Sequence, residues 1–270
     1  MSERKIAGVL VAAVVLAASG AFAARPLIID DADPLEFKDF KIEGGGWCEK
    51  DAGCKHWDIP FGVGCGIFPS VELGAGFGGQ FEERTEVDEE SCEESNRSVD
   101  SIGDLVVNAK WQFRGESKWL PRQAIVPAVK FPTSDKDKGL GSGKTDYDLT
   151  WIASKSVREK IGAHINIGYS WIGETDDEDA GDILHYGLAL DYKIVAPLQW
   201  VGEMYAEDEL RHGINTVVMF NTGLRYSILD SLVADIAAGS RIAGDAPELT
   251  ATAGLTWTFG FAKNEQQEKK

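Results

Sequence analysis

Between Ile161 and Trp171 the chain alternates without a break. Ile161, Ala163, Ile165, Ile167, Tyr169 and Trp171 fall on one side of an extended backbone, and Gly162, His164, Asn166, Gly168 and Ser170 fall on the other. The same period returns in Leu184, Tyr186, Leu188, Leu190 and Tyr192, set against His185, Gly187, Ala189 and Asp191. It returns again near the C-terminus, where Leu249, Ala251, Ala253, Leu255, Trp257 and Phe259 alternate with Thr250, Thr252, Gly254, Thr256 and Thr258. A strict period of two over a dozen residues excludes an amphipathic helix and specifies long strands with one apolar face.

Whether that face meets a protein core or lipid is decided by the opposite face. A secreted β-sandwich would cover its outer face with charge. Here the second face is mostly Gly, Ser, Thr and Asn with scattered charged residues, as expected of a lumen. Aromatic residues cluster near segment ends on the apolar face, among them Trp111, Phe113, Trp151, Trp171, Trp200, Tyr226 and Trp257, in the manner of interfacial girdles.

Extending the test along the chain gives candidate strands near 36–46, 55–67, 71–83, 101–114, 122–132, 144–155, 160–172, 182–193, 198–209, 214–227, 231–241 and 249–259. An even number of strands, most near the roughly 9–11 residues that cross a bilayer at a tilt, fits a transmembrane barrel. IFPS, RGESKWLP, SVRE, VAP and LD would form turns at one end. Longer or more acidic connections, including ERTEVDEESCEESNRSV and GETDDEDAG, would lie at the other. With both termini on the short-turn side, this is the periplasm-in, loops-out arrangement of outer-membrane barrels. The predicted fold class is therefore all-β: a single antiparallel transmembrane β-barrel of about 12 strands, following an N-terminal signal peptide.

The leader is legible in MSERK, the apolar IAGVLVAAVVLAASG and the small-x-small site Ala21-Phe22-Ala23. We assign residues 1–23 to the signal peptide, 24–260 to the outer-membrane barrel and 261–270 to a disordered polar tail. The formal charge of −17 repels phosphate backbones and argues against nucleic acid as a partner. The localisation implied is the outer membrane of a Gram-negative bacterium, with membrane lipid and lipopolysaccharide as the surroundings.

The segments ARPLIIDDAD, SIGDLVVNAKWQF, AIVPAVKFPTSDKDKGLGSGKTDYDL, HINIGYSWIGE, LHYGLALDY and LQWVGEMYAE, in this order and spacing, resemble the bacterial outer-membrane family named for the MetA pathway of phenol degradation. The resemblance spans essentially the whole chain after the leader. It implies an outer-membrane barrel that carries hydrophobic or aromatic compounds. The stretch Thr252 to Phe259 is also similar to the polar-x-Gly-x-x-aromatic-x-aromatic signal of last strands. That similarity implies recognition by the barrel-assembly machinery through Gly254, Trp257 and Phe259.

Two glycine-rich motifs carry no chemistry on this reading. Gly74 to Gly79 matches G-x-G-x-x-G but lies within an alternating strand, where a dinucleotide fingerprint would open a helix. Gly139 to Thr145 is one residue short of a phosphate loop, and a strand follows it. No Ser-His-acid arrangement stands out, so no catalytic residues are assigned. An outer-membrane phospholipase, which can share twelve strands, is the enzymatic rival.

Parity places Glu72, Asp104, Lys110, Arg114, Lys130, Asp146, Asp148, His164, Asp191, Glu203, Arg225 and Asp235 on the lumen side. As pore-lining candidates we single out Asp104, Lys110, Arg114, Lys130, Asp146, Asp148, His164, Glu203 and Arg225. Charges there must be paired or wet, so they either tune a pore or form a network that plugs it. Cys48 and Cys54 flank a predicted loop and form the leading disulfide candidate, with Cys92 as competitor. Cys65, on the lipid face, is expected to be unpaired. No cofactor and no dedicated metal site is expected. Weak Ca²⁺ or Mg²⁺ binding is open to the acidic outer loops, at Glu82, Glu83, Glu86, Asp88, Glu89, Glu90, Glu93 and Glu94, and at Asp176, Asp177, Glu178, Asp179 and Asp182. The function expected is passive passage of small apolar or aromatic solutes. A closed structural or surface-interaction barrel is the alternative, and a lipid-modifying enzyme stands behind both.

Overall fold

Among the described residues of a computed structural model, thirteen strands join into one closed antiparallel sheet. The structure describes residues 25–51, 54–87, 94–138, 141–173, 181–211 and 215–260. The assigned signal peptide and polar tail lie outside the described residues. In chain order the strands are β1 (Asp39–Asp51), β2 (Cys54–Phe68), β3 (Val71–Val87), β4 (Glu94–Ile102), β5 (Leu105–Arg114), β6 (Arg122–Phe131) and β7 (Asp146–Arg158). They continue with β8 (Ile161–Trp171), β9 (Ile183–Val195), β10 (Leu198–Glu209), β11 (Val217–Leu229), β12 (Leu232–Ala243) and β13 (Leu249–Gly260).

Apart from β4 and β5, consecutive strands pair with one another, and β13 returns to pair with β1 from Asp39↔Gly260 to Lys50↔Leu249, which closes the wall. The extra strand does not widen the barrel. β4 pairs only with the far half of β3, from Gly79↔Ile102 to Val87↔Glu94, and β5 takes over along the near half, from Val71↔Trp111 to Gly76↔Val106. Together β4 and β5 make one interrupted strand, so the barrel is twelve-stranded. The stretch read from sequence as an acidic loop is thus largely a hairpin that prolongs β3 and β4. Its ladder needs only backbone pairing, so the carboxylates that spoil an apolar face do not prevent it.

The register carries the sequence parity around the wall. Ile165 pairs with Leu188, Leu188 with Met204 and Met204 with Phe220, an outward row in which Ile165 keeps 48% of its surface exposed. One position away runs an inward row, in which Ser154 pairs with His164, His164 with Ala189, Ala189 with Glu203, and Glu203 with Asn221. A side-chain period of two makes these rows mutually exclusive faces. A Lys or Arg at the bilayer midplane would cost about 2–4 kcal/mol, and the outward positions of β8 and β9 carry no charge at all.

On β13, Leu249, Leu255 and Trp257 are exposed on the outer face, while Thr250 and Thr252 are buried inside. Phe259 stacks on Phe40 at 5.7 Å between ring centroids and sits 4.6 Å from Trp257, so aromatics cover the periplasmic end of the closing seam.

The expected Cys48–Cys54 disulfide is not formed. β1 continues to Asp51, and Cys54 pairs with Asp51 while Cys48 pairs with Trp57. The two cysteines are therefore three rungs apart, about 10 Å along the ladder, beyond disulfide reach. Cys48 is a free thiol, and so is Cys65 as its lipid-face position implied. Cys92 lies outside the described residues.

Candidate functional site

The segment before β1 does not hang into the periplasm. The chain reverses at Lys38 (φ 68°), whose N–H bonds the Gly66 carbonyl at 2.8 Å, and residues 25–35 run up the inside of the barrel. Side chains from many strands hold its backbone. Glu203 on β10, 2% exposed, accepts from the N–H groups of Ile28 (2.9 Å) and Ile29 (2.7 Å), and from Asn221 Nδ2 on β11 (2.7 Å). Glu72 on β3 accepts from Leu35 N–H at 2.9 Å, and Ser154 on β7 from Ala32 N–H at 2.9 Å. Gln112 on β5 donates to the Ala32 carbonyl at 3.0 Å. Asn166 on β8, in the amide orientation that satisfies both groups, donates to the Asp30 carbonyl and accepts from its N–H. An irregular segment cannot satisfy its own backbone, so the wall supplies the partners.

Ion pairs lock the two ends and the middle. Lys110 Nζ on β5 lies 2.6 Å from Asp30 Oδ2, both largely buried. Arg122 Nη1 on β6 reaches Asp33 Oδ2 at 2.7 Å, and Arg122 Nη2 reaches Glu116 Oε2 at 3.5 Å at the periplasmic rim. Glu116 is little buried, and hydrogen bonds from Lys155 and Ser156 outweigh that burial to hold its carboxyl below the ordinary range. At the far end Arg25 meets Asp235 on β12 at 3.3 Å and Thr252 on β13 at 3.1 Å, and its carbonyl accepts from Arg225 Nε on β11 at 2.6 Å. The Arg25 guanidinium lies where a Cβ on Gly45 or Gly254 would stand, 2.2–2.4 Å from its nearest nitrogen. These two glycines face each other across the β1–β13 seam. Any larger residue at Gly254 would evict Arg25, which gives the glycine of the resembled assembly signal a second reason to be glycine.

The pore-lining residues inferred from sequence divide into two groups. Lys110, His164, Glu203 and Arg225 hold, or stand beside, the inserted segment. Asp104, Lys130, Asp146 and Asp148 form the wall of the opposite, extracellular half. There Lys130 bridges Asp104 (3.4 Å) and Asp146, and His185 Nε2 lies 2.7 Å from Asp148. Arg114 departs from the expectation: β5 bulges between Gln112 and Arg114, and Arg114 is exposed at the periplasmic end, away from the lumen network.

One arrangement was invisible in the sequence. Ser154 Oγ lies 2.9 Å from His164 Nδ1, and His164 Nε2 lies 2.9 Å from Asp191 Oδ2, whose other oxygen accepts from Gln199 at 2.6 Å. This is the order of a nucleophilic triad, but Ser154 has no exposed surface and its oxygen already receives the Ala32 N–H. No acyl group can approach it while the segment is seated. The chain of bonds orients the serine that clasps the inserted backbone.

Above the segment, in the extracellular half, lies a cavity of about 130 Å³. Ile28 and Ile29 form its floor, Val106, Val126 and Ile152 part of its walls, and Lys130, Asp146, Asp148, His185 and Glu207 stand toward the outer end. No group of three or more His, Cys, Asp or Glu side chains that could hold a metal occurs among the described residues. Of the acidic loop residues, Asp88, Glu89, Glu90 and Glu93 and 176–179 lie outside them. Asp182 is engaged, accepting from Tyr169 Oη at 2.8 Å and Ile172 N–H at 3.1 Å.

The architecture is shared with outer-membrane proteins of known structure. The COG4313 outer membrane channel from Pseudomonas putida F1 superposes with a TM-score of 0.65 at 13% identity, covering 85% of this chain and 98% of that one. The translocator domain of the autotransporter NalP from Neisseria meningitidis gives 0.57 at 10% identity, with 95% and 98% covered. The NanC porin gives 0.52 at 11% identity, with 81% and 98% covered. No curated protein matches the sequence. A closed barrel with a continuous apolar outer band and this set of structural relatives is an outer-membrane barrel. The profile of one family, described as "Putative MetA-pathway of phenol degradation", matches residues 57–259, and the chain belongs to that family.

Proposed function

We propose that the protein is a passive outer-membrane channel for small apolar or single-ring aromatic solutes. The cavity above Ile28 and Ile29 carries this reading. Its volume of about 130 Å³ is close to the roughly 150 Å³ apolar cavities that take up benzene, and it opens the lumen from the extracellular half down to the inserted segment. A solute would rest there and pass when the segment yields. Nothing in the chain suggests energy coupling, so passage follows the concentration gradient. The likeness to an outer membrane channel and the family's description support the same reading.

The alternative of a closed structural barrel draws on the ion-paired segment itself. The two readings part in planar bilayers and proteoliposomes made with refolded protein. The channel is expected to show discrete conductance steps and to pass toluene-sized solutes faster than sugars of similar mass. Silent bilayers together with solute-tight vesicles would replace the channel with the structural barrel.

Assembly belongs to the proposal as well. Trp257 and Phe259, outward at the periplasmic end of the last strand, would be read by the barrel-assembly machinery, with lipid and lipopolysaccharide as the final surroundings. The double variant Trp257→Ser, Phe259→Ser is expected to accumulate outside the membrane fraction in cells. Equal insertion of variant and wild type would remove that role.

A further inference from the structure

We propose that the cavity selects a protonated amine carried on a small aromatic or aliphatic body, bound by Tyr205 and Glu207. The inference rests on the cavity being the solute's resting place. It is carried by two polar atoms that the fold leaves unused or only loosely engaged.

Tyr205 and Glu207 are alternate residues of β10, so both point into the lumen, and both line the cavity. They are 3% and 6% exposed. Glu207 Oε2 has no hydrogen-bond partner among the described residues, and the Tyr205 hydroxyl has only a loose approach to the Asn221 side chain. Buried polar atoms are almost always paired, and an unpaired one is costly, so this neighbouring pair in a mainly apolar cavity calls for an explanation. By contrast, Glu203, one step further down the same face, is engaged by the inserted segment and by Asn221 on β11.

The charges around the pair set the sign of the ligand. Asp148 and Glu49 act on Glu207 as like charges, and the His185 ring, which acts on it with the opposite sign, is bonded to Asp148. The cation on this side, Lys130, is committed to Asp104 and Asp146. A carboxylate solute would meet the like charges of Asp148 and Glu49. A neutral hydroxyl would offer one donor. An ammonium group brings three donors and a charge, enough for Glu207 Oε2 and the Tyr205 oxygen together, while its hydrocarbon body lies against Ile28, Ile29 and Ile152.

Three solutes sharing one ring test this: 2-phenylethylamine, 2-phenylethanol and 3-phenylpropanoate, titrated calorimetrically into the full-length protein in detergent micelles at neutral pH. The amine is expected to bind about tenfold or more tightly than the alcohol, and the carboxylate not at all. Glu207→Gln, which keeps the shape of the side chain, should weaken the amine roughly ten- to hundredfold and leave the alcohol nearly unchanged. Tyr205→Phe should weaken the amine less and preserve the order. Equal affinities for amine and alcohol, or an amine affinity indifferent to Glu207→Gln, would overturn the proposal. Binding with this selectivity in a protein that is silent in bilayers would sink the channel and leave the site. Flux of all three solutes without preference would do the reverse.

Discussion

Lys110→Met is expected to unseat the inserted segment and turn a narrow, seldom-open pore into a wide one. Lys110 and Asp30 are both largely buried, with 2.6 Å between nitrogen and oxygen. Removing one member of such a pair strands the other charge and costs about 3–5 kcal/mol. The loss falls on the docked state alone, because an undocked Asp30 is solvated. An equilibrium shifted by that much changes the ratio of docked to undocked forms by roughly a hundredfold or more. Single-channel recording should show long openings of high conductance, and a protease added from the periplasmic side should cut between residues 25 and 38, which the wild type protects. The double variant Asp30→Asn, Lys110→Met should recover much of the wild-type behaviour, since neither residue is then left charged. Unchanged conductance in the single variant would mean that the segment is held without this pair.

Glu203→Ala is expected to act on the same element by a different route. The carboxylate satisfies Ile28 N–H, Ile29 N–H and Asn221 Nδ2 at once. Each buried donor left without an acceptor costs about 1–3 kcal/mol, so the variant should lose roughly 3 kcal/mol or more of docking free energy, less whatever water recovers. Glu203→Gln keeps one acceptor oxygen and should lose considerably less. The graded series wild type, Gln, Ala is read as a rising open fraction, while the barrel's resistance to urea in lipid vesicles stays near that of the wild type. Loss of barrel resistance in step with conductance would show that Glu203 supports the wall rather than the segment.

How much of this could be read from the chain follows from the range of each signal. Alternation is local, so Ile165 and Leu188 could be sent outward, and Glu203 and Asp191 inward, from single segments. Strand ends were less legible where polar ladders run past the membrane. Cys48 appeared to flank a loop because the strand's apolar face fades before its pairing does. Residues 25–38 have no period, and their docking depends on partners far off in sequence, from Glu72 for Leu35, 37 positions away, to Thr252 for Arg25, 227 away. A faint trace did exist: Leu27, Ile28 and Ile29 followed by Asp30, Asp31 and Asp33 is an odd composition for a periplasmic tail. Ser154, His164 and Asp191 meet only through the β7–β8–β9 register, which no motif spacing encodes.

The seat of Arg25 also orders events in time. It is assembled from Asp235 on β12, Thr252 and Gly254 on β13 and Gly45 on β1, so it does not exist until the first and last strands have met. A barrel still open at that junction has nowhere to put the arginine, and the N-terminal segment stays outside. Occupancy of that seat therefore marks completed closure: Arg25, far ahead of the last strand in the sequence, is among the last residues to find its place.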